Sequence, residues 1–466
     1  MAEKTQAEQL KEELFYAPKH AGLRFDEAYL KEADEFCAGY KRYLDAGKTE
    51  RECVGEAVRL AEAAGFKPFD PATPYKPGEK LYYVNRLKCV ILCVIGTKPL
   101  IEGVRIAAAH IDSPRLDLKP NPLYEAEELA LLKTHYYGGV KKYQWVAIPL
   151  ALHGVIIKKD GSKVEVRIGD GADDPCFVIT DLLPHLAQEQ AKQTMAEGIK
   201  GEDLNLLIGS MPFRDDAASE RVKLNIMALL HEKYGVVESD FLSAELEIVP
   251  AWGARDIGFD RSLIGAYGHD DRVCAYPALM AALDAKNPPH TVLSVLTDKE
   301  ETGSEGNTGL DSRYLEYFIH ALARNMGAAG QDVLSASQCI SADVTAAMDP
   351  TYPEVLEKRN AARLNYGVGV CKYTGSRGKS GTSDASAEYL ARVCALFESA
   401  GVQWQMAELG RVDLGGGGTV AKYIARLNVN TLDVGVPVLA MHAPFEIVSK
   451  SDVFMMYKAC CAFFEG

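Results

Sequence analysis

Residues 291–303, Thr291-Val-Leu-Ser-Val-Leu-Thr-Asp298-Lys-Glu300-Glu301-Thr-Gly303, pass without a break from an apolar run into a pair of glutamates and a glycine. A short β-branched and apolar run that stops at acids reads as a buried strand delivering its polar groups at the carboxyl end. Four more segments repeat the theme: Ile106-Ala-Ala-Ala-His110-Ile-Asp112, Gly268-His-Asp270-Asp271-Arg272, Cys339-Ile-Ser-Ala-Asp343 and Val438-Leu-Ala-Met-His442-Ala-Pro444. All but the Gly268 segment read as buried parallel strands, and open α/β sheets build their sites at that edge. Two histidines and several carboxylates suit a pair of divalent cations, most naturally zinc, bridged by one carboxylate and a water.

Outward from these runs, the chain divides into three stretches. Helix-spaced apolar positions cover Phe25 to Ala46 and Thr49 to Gly65, and strands are expected at Leu81 to Tyr83, Cys89 to Ile95 and Val104 to Ala109. Between about Leu116 and Asp260 the pattern turns strand-rich. The apolar run Trp145 to Ile157, the Asp160-Gly161 turn and the alternating Lys163 to Ile168 predict a hairpin, with helices near Asp181 to Glu197 and Ser219 to Lys233. From Asp271 onward strands alternate with helix-period segments, as in a parallel sheet with covering helices. The expected architecture is an α/β catalytic domain, a mixed and largely parallel sheet with covering helices. It is built from residues 1–115 and 262–466 and interrupted by an inserted β-rich domain at 116–261, which is topologically easy because domain termini lie close together.

Each segment has a bland reading beside its chemical one. His110 and Asp112, one residue apart on an extended chain, share a side, so Asp112 can fix the tautomer of the imidazole; the plain alternative is a buried histidine held by its neighbour. Asp270 and Asp271 open a helix expected from Val273 to Ala285, where an N-cap acid is ordinary; the functional reading makes Asp270 a carboxylate shared by two metals. Consecutive Glu300 and Glu301 can point apart, one to a cation and the other to a water as general base. Five strand-end polar groups occurring together weigh more than any one of them. The glycine run Asp413-Leu-Gly-Gly-Gly-Gly418-Thr lacks the Gly-Lys-Ser/Thr ending of a phosphate loop, so the amides of Gly416 and Gly417 are assigned to a substrate cleft. The basic loop Lys372 to Asp384 reads as a flap that offers Arg377 or Lys379 to an anionic group.

Composition narrows the partners. With 466 residues, 47% of them hydrophobic, the chain can bury a large core divided among two to three domains. A net charge of −14, from 65 acidic and 51 basic residues, repels a phosphate backbone, so nucleic acid is not an expected partner. No uncharged apolar run approaches the roughly 20 residues that span a bilayer, and the charged first segment has no signal-like apolar region, so a cytoplasmic location without membrane partners is expected. Eleven cysteines without a Cys-x-x-Cys pair suit free thiols in a reducing compartment.

Taken in order and spacing, Ala109-His-Ile-Asp-Ser-Pro114, His269-Asp-Asp-Arg-Val, Asp298-Lys-Glu-Glu-Thr-Gly303, Ser341-Ala-Asp343 and Leu439-Ala-Met-His-Ala443 resemble the motif series of the dinuclear zinc aminopeptidases that include aspartyl aminopeptidase and vacuolar aminopeptidase I. The resemblance runs from about residue 20 to the end of the chain. It implies that Asp270 bridges two zinc ions, that His110 and Asp343 complete one, and that Glu301 and His442 complete the other. A bridging hydroxide would attack the first peptide carbonyl, with Glu300 as general base passing the proton to the leaving amine. The resemblance further implies a dimerising inserted domain and a tetrahedral homododecamer that admits short peptides. In that assembly a partner's histidine reaches the neighbouring site, and Leu183-Pro-His185-Leu resembles the segment that carries it. Cobalt and manganese tolerate overlapping ligand sets. The glycine-rich Ser376 to Thr382 stands where the aspartyl enzymes carry a lysine-bearing segment, which leaves an acidic or a neutral first residue open. Two other readings stand beside this one: a dinuclear-metal deacylase or carboxypeptidase, and a silent self-assembling shell or binding protein.

Overall fold

Among the described residues the chain forms three sheets, and core clusters pack the two faces of the largest and one face of another. The computed structural model describes residues 4–215 and 217–466. The largest sheet has nine strands, centred on four parallel neighbours in the order Thr291–Thr297, Val104–His110, Gln338–Ser341 and Asn430–Gly435. Strands Lys80–Asn85 and Cys89–Val94 continue it antiparallel on one side and Val368–Cys371 on the other, so the sheet is mixed. Every residue of Val104–His110 and Thr291–Thr297 is buried. Covered on both faces, such strands need continuous apolar runs rather than alternation, which is how these read in sequence.

The two faces are packed by different helices. Ala107, Ala109, Val292 and Leu296 face Glu27–Ala46, Glu50–Ala63, His269–Asp284, Ala387–Ser399 and Lys450–Glu465. Ile106, Ala108, Leu293 and Val295 face Tyr314–Asn325 and the short helix Ala421–Ala425. This period-two division is the pleat itself. Helix starts follow local chemistry: the Asp26 side chain accepts from the Tyr29 amide, and Thr49 with Glu52 forms a capping box.

Register then aligns the site. Thr297 lies opposite His110, Ala108 opposite Ser341 and Ser341 opposite Asp433, so His110, the Asp298–Glu301 turn and Asp343 leave the sheet at one edge. His442 does not come from this sheet, although its run reads like the others. Pro437–Leu439 belongs to a five-stranded sheet, parallel to Thr345–Ala346 and antiparallel to Glu446–Ser449. The same sheet carries Leu263–Ala266, which leads into His269–Asp284 and hence to Asp270.

The third sheet has seven strands, all antiparallel, drawn from Arg115–Ala126 to Ala244–Pro250, and includes the expected hairpin of Leu150–Ile157 with Lys163–Ile168. Arg255–Ile257 pairs instead with Leu263–Ala266 in the five-stranded sheet. Arg221–Tyr234 is the expected second helix of this stretch. The helix expected over Asp181 to Glu197 is absent, and only the single 3-10 turn Gln190–Lys192 forms there. The helix-spaced Leu182, Leu183, Leu186 and Met195 are all exposed and meet no core face of their own chain, so nothing offsets the cost of ordering a helix there.

The seven-stranded sheet is tied to the rest of the molecule by buried charge. Arg115 reaches Glu247 at 3.1 Å and Asp117 at 2.8 Å within its sheet, and Glu50 of the helix Glu50–Ala63 at 3.4 Å; Lys88 closes on Glu50 at 3.0 Å. Burial works against an ionised Glu50, and Arg115 and Lys88 outweigh it, holding that carboxyl below its ordinary range. Removing the guanidinium would leave two buried carboxylates short of a partner. Arg115→Met is therefore expected to lower the urea midpoint by the equivalent of about 3–5 kcal/mol; an unchanged midpoint would show that Glu50 and Glu247 do not depend on it.

Candidate metal centre

Asp270 turns one carboxylate oxygen to each of two imidazoles. Oδ1 lies 3.1 Å from His110 Nε2 and Oδ2 lies 3.2 Å from His442 Nε2. On the first side Asp343 Oδ1 stands 3.8 Å from His110 Nε2; on the second, Glu301 Oε1 stands 3.5 Å from His442 Nε2. The ligand-type atoms of His110, Asp270 and Asp343 all fall within 4.8 Å of one another, as do those of Asp270, Glu301 and His442. Glu300 joins from the side, with Oε2 4.0 Å from His110 Nε2. The structure thus brings together all five residues singled out as ligands, and Glu300 beside them.

Backbone carbonyls set both imidazoles. His110 Nδ1 donates to the Asp112 carbonyl and His442 Nδ1 to the Gly139 carbonyl, each at 3.0 Å. A carbonyl only accepts, so the proton sits on Nδ1 and the Nε2 lone pair faces the carboxylates. Asp112 contributes its side chain as well: Oδ1 accepts from the Glu300 amide at 3.1 Å, and Oδ2 accepts from the Glu301 amide at 3.2 Å and from the Tyr137 hydroxyl at 2.8 Å. It holds the glutamate turn as much as the histidine.

Lone pairs of two imidazoles facing three carboxylates repel unless a cation or shared protons lie between them. The protein alone can only supply protons. Burial pushes the Glu301 and Asp343 carboxyls well above their ordinary range and Glu300 up to about 7. Burial would lower both histidines, but hydrogen bonds outweigh it, from Asp112 and Asp270 for His110, which is raised well above its usual value, and from Asp270 for His442, which is raised to about 10. Glu301 Oε1 is buried without a hydrogen-bond partner. A nitrogen and oxygen donor set of this kind, with its Nδ1 atoms already engaged, fits zinc in both halves.

The cluster heads a cavity of about 1140 Å³, walled by the basic loop and the glycine run. The loop is a hairpin: Ser376 N donates to Ser380 O and Thr374 N to Ser383 O, and Gly375 N reaches across to Gly417 O at 2.6 Å. A Cβ on Gly416, where φ is +105°, would run into the Gly375 carbonyl, which explains glycine at that position. Arg377, Gly416 and Gly417 line the cavity, as do Arg411 and Lys422; Lys379 does not. His185 is exposed on the stretch between Val178–Ile179 and Leu206–Gly209 and does not line the cavity of its own chain.

The family model described as aminopeptidase I zinc metalloprotease (M18) matches residues 43–464. The chain belongs to the M18 family of zinc aminopeptidases. A relative named "Probable M18 family aminopeptidase 1" from Clostridium acetobutylicum is 48% identical over 453 residues, 96% of this chain and 97% of its own. The structure of an M18 aminopeptidase from Thermotoga maritima superposes with a TM-score of 0.92 at 44% identity, covering 97% of this chain and all of that one. The S. cerevisiae mApe1 dodecamer shares the fold at 20% identity, with a TM-score of 0.75 over 94% of this chain and 97% of its own.

Two supports of this M18 aminopeptidase escaped the sequence reading. Glu446, 1% exposed, accepts from the His442 amide at 2.7 Å through Oε1 and from the Asp270 amide at 3.1 Å through Oε2, so one carboxylate joins the two ligand-bearing segments of the five-stranded sheet. A lone acid in the apolar stretch Phe445-Glu-Ile-Val448, four residues past His442, was the available signal. Tyr137 carried none, because nothing in its own segment announces a partner 25 residues away. A glutamine at 446 would set an NH₂ group against one of the two amides. Glu446→Gln is expected to weaken zinc retention about 10–100-fold in chelator competition; wild-type retention would remove Glu446 from the supporting set.

Proposed function

We propose that this aminopeptidase releases the N-terminal residue of short peptides at a dinuclear zinc centre, with Asp270 shared between the two ions and Glu300 as general base. The observation that carries the reading is the pair of Asp270 oxygens, each aimed at its own histidine at the head of a peptide-sized cavity. His110, Asp343 and Asp270 Oδ1 would hold one ion, and His442, Glu301 and Asp270 Oδ2 the other. When bound, the ions supply Lewis acidity and lower the pKa of a water to near neutrality.

The rest falls to the chain. Glu300 borders the cavity beside the ligands, where its carboxylate can take a proton from the attacking water and return it to the leaving peptide nitrogen. Asp112 keeps that turn in place through two amide hydrogen bonds and keeps Nε2 of His110 directed inward. Gly416 and Gly417 present backbone to the substrate, and Arg377, Arg411 and Lys422 offer charge to an acidic first side chain, whereas Val344, Leu409 and Met441, which also line the cavity, suit an apolar one. A panel of Asp, Glu, Leu and Met amides reads which set decides.

The same reading covers assembly. Residues 116–261 act as an inserted dimerisation domain between the catalytic parts 1–115 and 262–466. Leu182, Leu183, Leu186, Met195, Met211 and Phe213 are exposed there, a set of apolar side chains that a second copy would cover. As mApe1, which shares the fold, is a dodecamer, our reading extends to a tetrahedral homododecamer built on such dimers, in which His185, among these residues, would serve the partner's cavity. Among the described cysteines none is paired and most are buried, which suits a reducing cytoplasm.

Glu300→Ala is expected to retain its zinc while kcat falls by about 10²–10⁴. Unchanged turnover would sink the general-base assignment. A free-amine Leu amide should be cleaved and its N-acetylated form left intact; cleavage of the acetylated form would favour a deacylase or carboxypeptidase instead.

A further inference from the structure

The strand Leu129–Tyr137 belongs to the seven-stranded sheet, yet its exit, Tyr137-Gly138-Gly139, meets the metal centre at three points. Tyr137 donates its hydroxyl to Asp112 Oδ2 at 2.8 Å. Gly138 sits at φ +73°, and a Cβ there would stand 3.2 Å from both Cβ and Oε2 of Glu301, so glycine lets the backbone lie against that side chain. Gly139 gives its carbonyl to His442 Nδ1, and a Cβ there would come within 3.0 Å of the same nitrogen.

We propose that Tyr137-Gly138-Gly139 is a positioning segment for the catalytic centre, through which the inserted sheet sets both imidazoles and the Glu300–Glu301 turn. The inference rests on the dinuclear reading above. The segment acts on one half through Asp112, which holds His110 and the amides of both glutamates, and on the other through His442. Of the hydrogen-bond donors on Asp112, the phenol alone comes from the inserted sheet. Without it, Oδ2 keeps a single amide donor and the carboxylate, whose Oδ1 lies 3.3 Å from His110 Nδ1, is freer to turn away from that imidazole.

The segment is itself held from behind. Arg115 lies opposite Tyr137 in the ladder, and its guanidinium covers the phenol ring at 3.9 Å. The same guanidinium carries the buried contacts to Glu50 and Glu247. A continuous path therefore runs from the buried ionic cluster through an aromatic ring to the metal ligands, and each link in it is a direct contact.

The test uses the full-length assembled enzyme with Tyr137→Phe, Gly139→Ala and Asp112→Asn. Zinc retention is read by chelator competition, ligand geometry by the visible spectrum of the cobalt-substituted protein, and kcat and KM separately. Tyr137→Phe is expected to weaken metal retention about 10–100-fold and to cut kcat at least about tenfold while KM moves less than about threefold. Gly139→Ala should alter the cobalt spectrum and loosen one of the two ions, and it keeps the test open should Tyr137→Phe fail to fold. Wild-type zinc retention and kcat in both Tyr137→Phe and Gly139→Ala, with both lost in Asp112→Asn, would overturn the positioning role. Fewer than two zinc ions per chain in the unsubstituted enzyme, counted in the same competition, would instead fault the dinuclear reading beneath it.

Discussion

Asp270 is held where its two oxygens each meet an imidazole, and most of the architecture can be understood as what that placement demands. One imidazole leaves the nine-stranded sheet and the other leaves the five-stranded sheet, so the carboxylate lies where two sheets converge. Burial makes such a cluster costly as bare charge. The fold answers with fixed acceptors: carbonyls on both Nδ1 atoms, Glu446 on the amides of Asp270 and His442, and Asp112 under the glutamate turn. Each fixes a ligand's direction without adding another charge inside the ring of ligand atoms.

The division of labour among the sheets follows from their packing. The nine-stranded sheet is covered on both faces and its strands Val104–His110 and Thr291–Thr297 are fully buried, which makes it a rack whose register aligns His110, Glu300, Glu301 and Asp343. The five-stranded sheet brings Asp270 and His442 to the same place from the other side. The walls of the cavity are different in kind: a hairpin and a glycine run, backbone against backbone.

Much of this was legible in sequence, for a physical reason. A strand buried on both faces must be continuously apolar, so a histidine or acid at its end stands out, and His110, Glu300, Glu301 and Asp343 are all of this type. Asp270 was ambiguous, because an acid opening a helix is ordinary, and only its two histidine contacts distinguish it. His442 was found although its sheet was not: a short apolar run looks alike in any sheet. The loop around Leu182, Leu183 and Leu186 misled, since helix-spaced apolar residues that find no core in their own chain carry the same periodicity as a packed helix. Tyr137 and Gly139 lay out of reach because their role exists only through contacts between distant segments, whereas Glu446 left the one faint signal of a lone acid in an apolar stretch.

The shared carboxylate is tested most directly by counting zinc ions per chain, by atomic emission after gel filtration, in the natural protein and in Asp270→Ala and His442→Ala. The account predicts two ions in the first, loss of both in Asp270→Ala, and one retained in His442→Ala. Full zinc content in Asp270→Ala would contradict it, because the two halves of the site would then stand without the residue that joins them.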